Sequence, residues 1–562
     1  MVNSIFRGFI LVLFLWVNCV CGFAQRVCDS LFVAPFDFPL YLSGNFGELR
    51  TDHFHSGVDF KTDGVVGKPI ICVADGYICR ASVTPGGYGK ALYVMHDNGY
   101  MTVYAHLDSF PPEIDKRVRR YQYKNETFKT NLWFGPSEFR VKQGEFLAYA
   151  GNSGYSFGPH LHFEIRNSDG NELYDPMDVY KDKLLDTRAP KVHAISVYPK
   201  RGEGSIFGEG TSRAFDVNGD VLNDTIEAWG GIAFGVRALD YMDGTHNKYG
   251  VRNMELFVDN ELYFSSLMDN FSFDEDLLIN AWLDYGRVYN NDEWFQKLFV
   301  EENNPLRLLN VNKNKGWLTV DEQRIYNVEC RLSDYHGNVS SYKFAVRGVK
   351  CEMPPLPETT HVLYYGANNR VEYVGMRLDV PKGVLFENAF LNIRLQGGDG
   401  VSWRYNLTDT VYPMLNGSKI SFWVGEKLSV DKSKLYVRLF EPDDTSSVGG
   451  VYENGWISAK IRTIGSYDVA VDTVAPLLRP VEEDLWLQNG RVVLELEENE
   501  TSLKSFKGTL NGEFILFEYN SKNSVFTLDL KTEGVKRGAH CLRLVAVDQC
   551  GNEAVYEKEF EY

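Results

Sequence analysis

Between residues 40 and 110 apolar and polar positions alternate with a period of two, and glycine turns cut the alternation into short runs. "KPIICVADGYICRASV" and "KALYVMHDNGYMTVYAHL" read as successive hairpins, with turns at Asp75-Gly76 and at Asp97-Asn98-Gly99. An antiparallel sheet is expected there. The same alternation runs through "HLHFEI", so His160 and His162 share one face of a strand that follows the glycine-rich "GNSGYSFGP". The segment 111–139 is polar and aromatic by turns and reads as an inserted loop or flap.

Beyond residue 190 short alternating strands recur without clustered titratable residues. The punctuation "DTRAP" at Asp186 to Pro190 returns as "DTVAP" at Asp472 to Pro476, and each copy is followed by a strand ending in Asp-x-x-Gly-Asn, at Asp334 to Asn338 and at Asp548 to Asn552. Repeated boundary signals imply repeated units. Cys351 to Thr360, "CEMPPLPETT", reads as an extended proline-rich spacer. The chain is therefore expected to divide into a first domain at 25–189, β-sandwich domains of immunoglobulin-like pattern at 190–351 and 471–562, and a β domain at 352–470. The fold class is mainly β. One exception is "FDEDLLINAWLDY" from Phe273 to Tyr285, whose acidic start and apolar spacing predict a helix inserted in the second domain to cover a sheet.

With 562 residues, 44% of them hydrophobic, the chain is long enough for several separate cores. A formal net charge of −18 argues against nucleic acid and against anionic membrane surfaces as partners. Arg7, the apolar run Phe9 to Val17, and Gly22 and Ala24 make residues 1–24 a secretory signal peptide cut after Ala24. That run is too short to span a bilayer, and no later segment approaches the length needed. The protein is thus expected outside the cytoplasm, in a periplasm, cell envelope or medium. Asn18 and Val20 disfavour lipid attachment at Cys19 or Cys21. The cysteines that remain after cleavage, Cys28, Cys72, Cys79, Cys330, Cys351, Cys541 and Cys550, are odd in number and form no disulfide framework. Cys72 and Cys79 flank the Asp75-Gly76 turn and are either one bridge across a hairpin or two small buried residues.

Six of the eleven histidines, His53, His55, His96, His106, His160 and His162, fall before residue 170, which places the chemistry in the first domain. His55 and Asp59 are four apart and of equal parity, so an extended segment presents both to one side. A catalytic zinc takes three protein ligands and keeps a fourth position for water. His55, Asp59 and one histidine of the last pair meet that need, and the other two histidines are then available for proton transfer and oxyanion stabilisation. HExxH and GxxxxGK[ST] are both missing from the sequence, so thermolysin-like and nucleotide-driven chemistries have no support.

"HSGVD", "VYAHL" and "GNSGYSFGPHLHFEI" resemble the His-x-x-x-Asp, Tyr-x-His and His-x-His signatures of the M23 zinc metallopeptidases, the lysostaphin-like cell-wall endopeptidases. "PGGYGKALYVMHDNGYMTVYAHL" and "VKQGEFLAYAGNSG" extend the likeness, which covers residues 40 to 180. The resemblance implies a compact antiparallel β peptidase domain in which His55, Asp59 and His162 bind Zn2+, while His106 and His160 act on the water and the transition state. It implies a metalloendopeptidase that uses a metal-activated water on the cross-links or stem peptides of peptidoglycan. His53 matches no family position and reads as an exposed histidine; His96 reads as structural and Tyr104 as core. The connection from His106 to Gly151 is longer than in the family and bears on access to the groove.

Two other functions stay on the table. One is a non-catalytic envelope scaffold or hydrolase activator, although the residues such proteins lose are all present. The other keeps the zinc chemistry and takes protein substrates. For the C-terminal β domains, positioning the peptidase, binding glycan or an envelope protein partner, and spacing it from a surface are equally compatible with the strand and turn pattern.

Overall fold

The computed structural model describes residues 31–217, 219 and 225–562. Residues 1–24, expected to be a signal peptide, and Cys28 lie outside the described residues. Among the described residues no helix is long and apolar enough to cross a membrane.

The first part of the chain is built on an antiparallel sheet whose strands run in the order Leu42–Gly44, Val58–Lys61, His160–Asn167, Tyr100–Ala105, Lys90–His96, Gly76–Val83, Thr130–Trp133. A second sheet of Pro69–Ile71, Phe146–Ala150 and Leu107–Ser109 packs on it. Leu147, Ala148 and Ile70 from the small sheet share a dry core with Tyr104, Leu161 and Phe163 from the large one. His162 stands opposite Asp59 on one side and Ala105 on the other, so register alone gathers three of the motifs onto neighbouring strands. Gly57 makes this approach possible, since a Cβ there would come within 2.2 Å of the Phe163 carbonyl oxygen.

The Asp97-Asn98-Gly99 turn joins paired strands, with Met95 opposite Met101. The Asp75-Gly76 hairpin does not form. Pro69–Ile71 pairs with Phe146–Ala150 while Gly76–Val83 pairs with Lys90–His96, so residues 72–75 carry the chain from one sheet to the other. Alternation is blind to this switch because both flanking strands are buried. Cys72 and Cys79 are accordingly free thiols, each donating to a backbone carbonyl, of Ala74 at 3.1 Å and of Tyr93 at 3.4 Å.

The segment 111–139 is not a flap. It forms a helix, Pro112–Asn125, followed by Thr130–Trp133, which adds to the sheet at the edge opposite the histidine-bearing strands. Proline at the start, Glu113 and Asp115 in the first turn, and Ile114, Val118 and Gln122 buried at four-residue spacing explain the helix. Its outer face meets the last domain: Arg119 pairs with Glu533 at 2.6 Å, and the rings of Tyr123 and Phe514 lie 5.4 Å apart.

Residues 191–348 form one ten-stranded sheet in which the long Ile226–Leu239 strand pairs with four others. The helix expected over Phe273 to Tyr285 is broken into a 3-10 turn, Phe273–Leu278, and a short helix, Ile279–Trp282, with a second helix at Tyr285–Asn291. Ser272 and Glu275 form a capping box at its start. These turns cover the back of the His53–Phe54 strand: Asp276 accepts the Phe54 amide at 2.9 Å, and Trp282 packs 6.1 Å from the Phe54 ring. Residues 361–471 hold two five-stranded sheets around their own core. Residues 477–561 hold two four-stranded sheets whose facing aromatics, Phe506, Tyr519 and Phe526, join the core of the first domain.

Candidate metal centre

Each of His55, Asp59 and His162 offers one atom to a common point. His55 Nε2 is 3.0 Å from Asp59 Oδ1 and 3.0 Å from His162 Nδ1, and His162 Nδ1 is 2.9 Å from Asp59 Oδ1. All three residues are buried. Their second nitrogens decide what these short distances mean. His55 Nδ1 donates to the Asn45 carbonyl at 2.7 Å, and His162 Nε2 donates to Glu164 Oε1 at 2.8 Å. In neutral rings so tethered the converging nitrogens carry lone pairs. Burial opposes a charge on His162, but the Asp59 and Glu164 carboxylates at its two nitrogens raise its pKa, so this point favours positive charge, which a divalent cation among the three converging atoms supplies. Two imidazoles and one carboxylate, each held from behind, are the donor set of a catalytic zinc.

The supporting groups were missed in the sequence. Glu164 accepts from Ser56 Oγ at 2.6 Å and from the Tyr88 hydroxyl at 2.5 Å, and Arg166 pairs with its other oxygen. Burial opposes its ionisation, but Arg166 and His162 hold the carboxyl far below its ordinary range. Its parity with His160 and His162 on one strand was the available signal. Arg50 Nη2 pairs with Asp59 Oδ2 at 2.7 Å, leaving Oδ1 to face the two histidines. No local spacing announces that contact.

His106 and His160 stand beside this point, their ring centroids 4.7 Å apart. His106 Nδ1 donates to the Ser153 carbonyl and His160 Nδ1 to the Gly158 carbonyl, both at 2.8 Å, which leaves Nε2 as the proton-accepting nitrogen of each ring. His160 Nε2 is 3.5 Å from Asp59 Oδ1. Burial, reinforced by neighbouring His160 and His162, pushes the His106 pKa down to about 3, so the ring is neutral. His106 also holds a left-handed backbone, φ +57°, and its amide donates to the Tyr88 carbonyl at 2.9 Å. The glycine-rich approach to His160 packs directly on the turn before Lys90, where a Cβ on Gly154 would meet the Gly89 nitrogen at 2.3 Å.

Other histidines are separate from the centre. His53 is exposed and bonds the Thr51 carbonyl. His96 is buried between the Ala74 carbonyl and Thr102 Oγ1. Tyr104 is fully buried and accepts the Val73 amide. Exposed Tyr155 and Phe157 stand on the loop that leads to His160, and the Lys522 ammonium of the last domain lies 3.6 Å over the Phe157 ring.

Residues 53–123 match the model of peptidase family M23, and residues 360–472 match that of the Zu5-like domain. A DD-carboxypeptidase/endopeptidase Mpg of Neisseria meningitidis is 33% identical over 118 residues, 21% of this chain and 21% of that protein. A glycyl-glycine endopeptidase ALE-1 of Staphylococcus capitis is 27% identical over 171 residues, 30% of this chain and 40% of that protein. A crystal structure of a zinc containing peptidase from Vibrio cholerae is 26% identical and covers 25% of this chain and 38% of its own, with a TM-score of 0.19. The chain thus spans about a fifth of the length of the first of these relatives. By its family match and the order of its three motifs, the N-terminal domain of this chain belongs to peptidase family M23.

Proposed function

We propose that this chain is an exported zinc metalloendopeptidase that cleaves peptide bonds in the cross-links or stem peptides of peptidoglycan. The observation that carries the reading is the convergence of His55 Nε2, Asp59 Oδ1 and His162 Nδ1 within 3.0 Å of one another, with two further histidines alongside. His55, Asp59 and His162 would hold the zinc. Bound there, zinc supplies Lewis acidity, lowering the pKa of a water and polarising the scissile carbonyl.

The chain's own groups do the rest. Of His106 and His160, one takes the attacking water's proton at Nε2, and the other steadies the charge that develops on the carbonyl oxygen. The Ser153 and Gly158 carbonyls hold a proton on Nδ1 of each ring, the tautomer the proton-accepting ring requires; the ring that steadies the oxyanion must also carry a proton on Nε2 to donate to it. Glu164 and Asn45 orient the two histidine ligands, and Arg50 occupies the second oxygen of Asp59. The aromatic rim at Tyr155 and Phe157 offers apolar contact to a peptide lying along the groove.

Relatives described as a DD-carboxypeptidase/endopeptidase, a glycyl-glycine endopeptidase and a peptidoglycan DD-endopeptidase support peptidoglycan as substrate. A division of the chain at residues 190, 352 and 471, with the later β domains placing the peptidase at its substrate or engaging an envelope partner, belongs with this proposal. The test is zinc content and peptide hydrolysis of the wild type against His162→Ala. The wild type should hold one more zinc than the variant and should alone be active; equal zinc contents would leave the chain a non-catalytic envelope scaffold or hydrolase activator.

A further inference from the structure

A second set of ligating groups lies away from the first, where the chain leaves the M23 domain. Asp186 stands in the exit segment, and Asp334 and His336 stand in the turn between the strands Ile325–Ser333 and Val339–Gly348. One ligand atom from each lies within 4.8 Å of the others. Both carboxylates are buried.

The hydrogen bonds around this cluster leave a mismatch at its centre. His336 Nε2 donates to the Lys181 and Leu184 carbonyls, each at 3.1 Å, which fixes the ring proton on Nε2 and makes Nδ1 an acceptor. Nδ1 faces Asp186 Oδ2 at 3.6 Å. Both atoms are buried, and neither has a hydrogen-bond partner. Two acceptors therefore point at each other in a dry place. Their separation is too long for an N–H···O bond, whose upper limit is about 3.2 Å. It suits two ligands of one cation, since bonds of about 2.1 Å at a tetrahedral angle put ligand atoms about 3.4 Å apart. Asp240, also buried, adds a third carboxyl nearby. It lies close enough to Asp334 and Asp186 to interact with both electrostatically.

The second copy of the same motif serves as an internal control. Asn338 bonds Asp334 Oδ2 at 2.7 Å and the Asp186 carbonyl at 3.2 Å, while Asn552 bonds Asp548 Oδ2 at 2.8 Å and the Asp472 carbonyl at 3.2 Å. The scaffold is thus the same in both. In the second copy, however, Cys550 stands where His336 does, Thr501 donates to Asp472 Oδ2 at 2.5 Å, and the Lys434 ammonium binds the Cys550 carbonyl and Asn552 Oδ1. That copy carries its own cation and no orphaned carboxylate oxygen on Asp472. The Asp-x-x-Gly-Asn turn therefore needs no histidine to form, and His336 serves something beyond the turn.

We propose that Asp186, Asp334 and His336 form a second divalent-cation site that clasps the exit of the M23 domain to the second domain. Two carboxylates and one imidazole suit a cation of the zinc or manganese kind. The bound ion supplies the charge that Lys434 supplies in the other copy, and it fastens residues 181–188 to the turn at 334–338.

The experiment uses full-length His162→Ala, which removes one ligand of the first centre. The protein is stripped with a chelator, re-equilibrated with Zn2+ or with Mn2+, desalted and assayed for metal. The expected result is one retained ion per chain, a Tm raised by that ion, and slower amide exchange across 181–188 and 334–338 in its presence. Adding His336→Gln should abolish both the retained ion and the Tm shift, with the far-UV circular dichroism unchanged. The inference is overturned if His162→Ala retains neither metal, or if His336→Gln leaves the retained metal in place. Should the double variant fail to fold, the exchange measurement on His162→Ala decides: no metal-dependent slowing in those two segments overturns the site.

Discussion

Glu164 Oε1 accepts the Nε2 proton of His162 at 2.8 Å, two residues away on the same face of one strand. That bond sets which nitrogen of His162 meets Asp59 and His55, and Arg166, Tyr88 and Ser56 hold the carboxylate in place. Glu164 is a positioning residue. Glu164→Gln should weaken zinc affinity about 10- to 100-fold. Zinc competition titration reads this directly. Hydrolysis measured at saturating zinc should recover in large part, whereas unchanged affinity would mean that the ring needs no such support.

His106 and His160 should separate from the zinc-binding residues in kind. His106→Ala and His160→Ala are expected to keep the zinc of the first centre and to lose about 10²- to 10⁴-fold in kcat. Metal analysis alongside kinetics checks both halves. Loss of zinc in His106→Ala would move that residue from proton transfer into the ligand set.

His96 gives a pH dependence unconnected with catalysis. Burial pushes its pKa down from 6.5 to about 4, although the Asp75 and Ala74 carbonyls oppose the shift. The unfolded chain then binds a proton that the folded chain refuses, so stability is full above the unfolded value and falls as pH drops from 6.5 toward 4. The slope from this one group is at most about 1.4 kcal/mol per pH unit. His96→Gln should flatten the acid limb of a Tm-against-pH curve. An unchanged limb would show that His96 takes up its proton in the folded protein.

Trp282 ties the second domain to the metal centre through Phe54, the residue before His55. It is 1% exposed, so Trp282→Ala should cost about 3–5 kcal/mol in a denaturation experiment. Hydrolysis should fall further than the folded fraction does, because the His55 strand loses its backing. Activity that simply tracks the folded fraction would contradict this link.

Much of this site was legible because its strands are regular. Period-two alternation put His160 and His162 on one face, and the spacing of His55 and Asp59 put both on one side. The structure brings these four residues and His106 together. Arg50 and Asn45 were illegible, because their roles come from a tertiary approach and not from local spacing. The helix at Pro112–Asn125 carried its signals, a proline start, an acidic first turn and a four-residue spacing of buried positions, but a segment polar and aromatic by turns read as loop. The false hairpin at Asp75-Gly76 has a different cause. Alternation reports which faces are buried and says nothing of which sheet buries them, so a strand that changes sheets looks like one that turns back. The orphaned His336 was equally silent, since the same turn forms around Cys550.

The most direct test of the whole account is mass-spectrometric analysis of muropeptides released from purified sacculi by zinc-loaded wild type, beside His162→Ala. Wild type should release peptide-cleaved fragments, chelation should stop the release, added zinc should restore it, and His162→Ala should release none. Intact sacculi after incubation with a zinc-loaded wild type that still hydrolyses a protein substrate would contradict the peptidoglycan assignment.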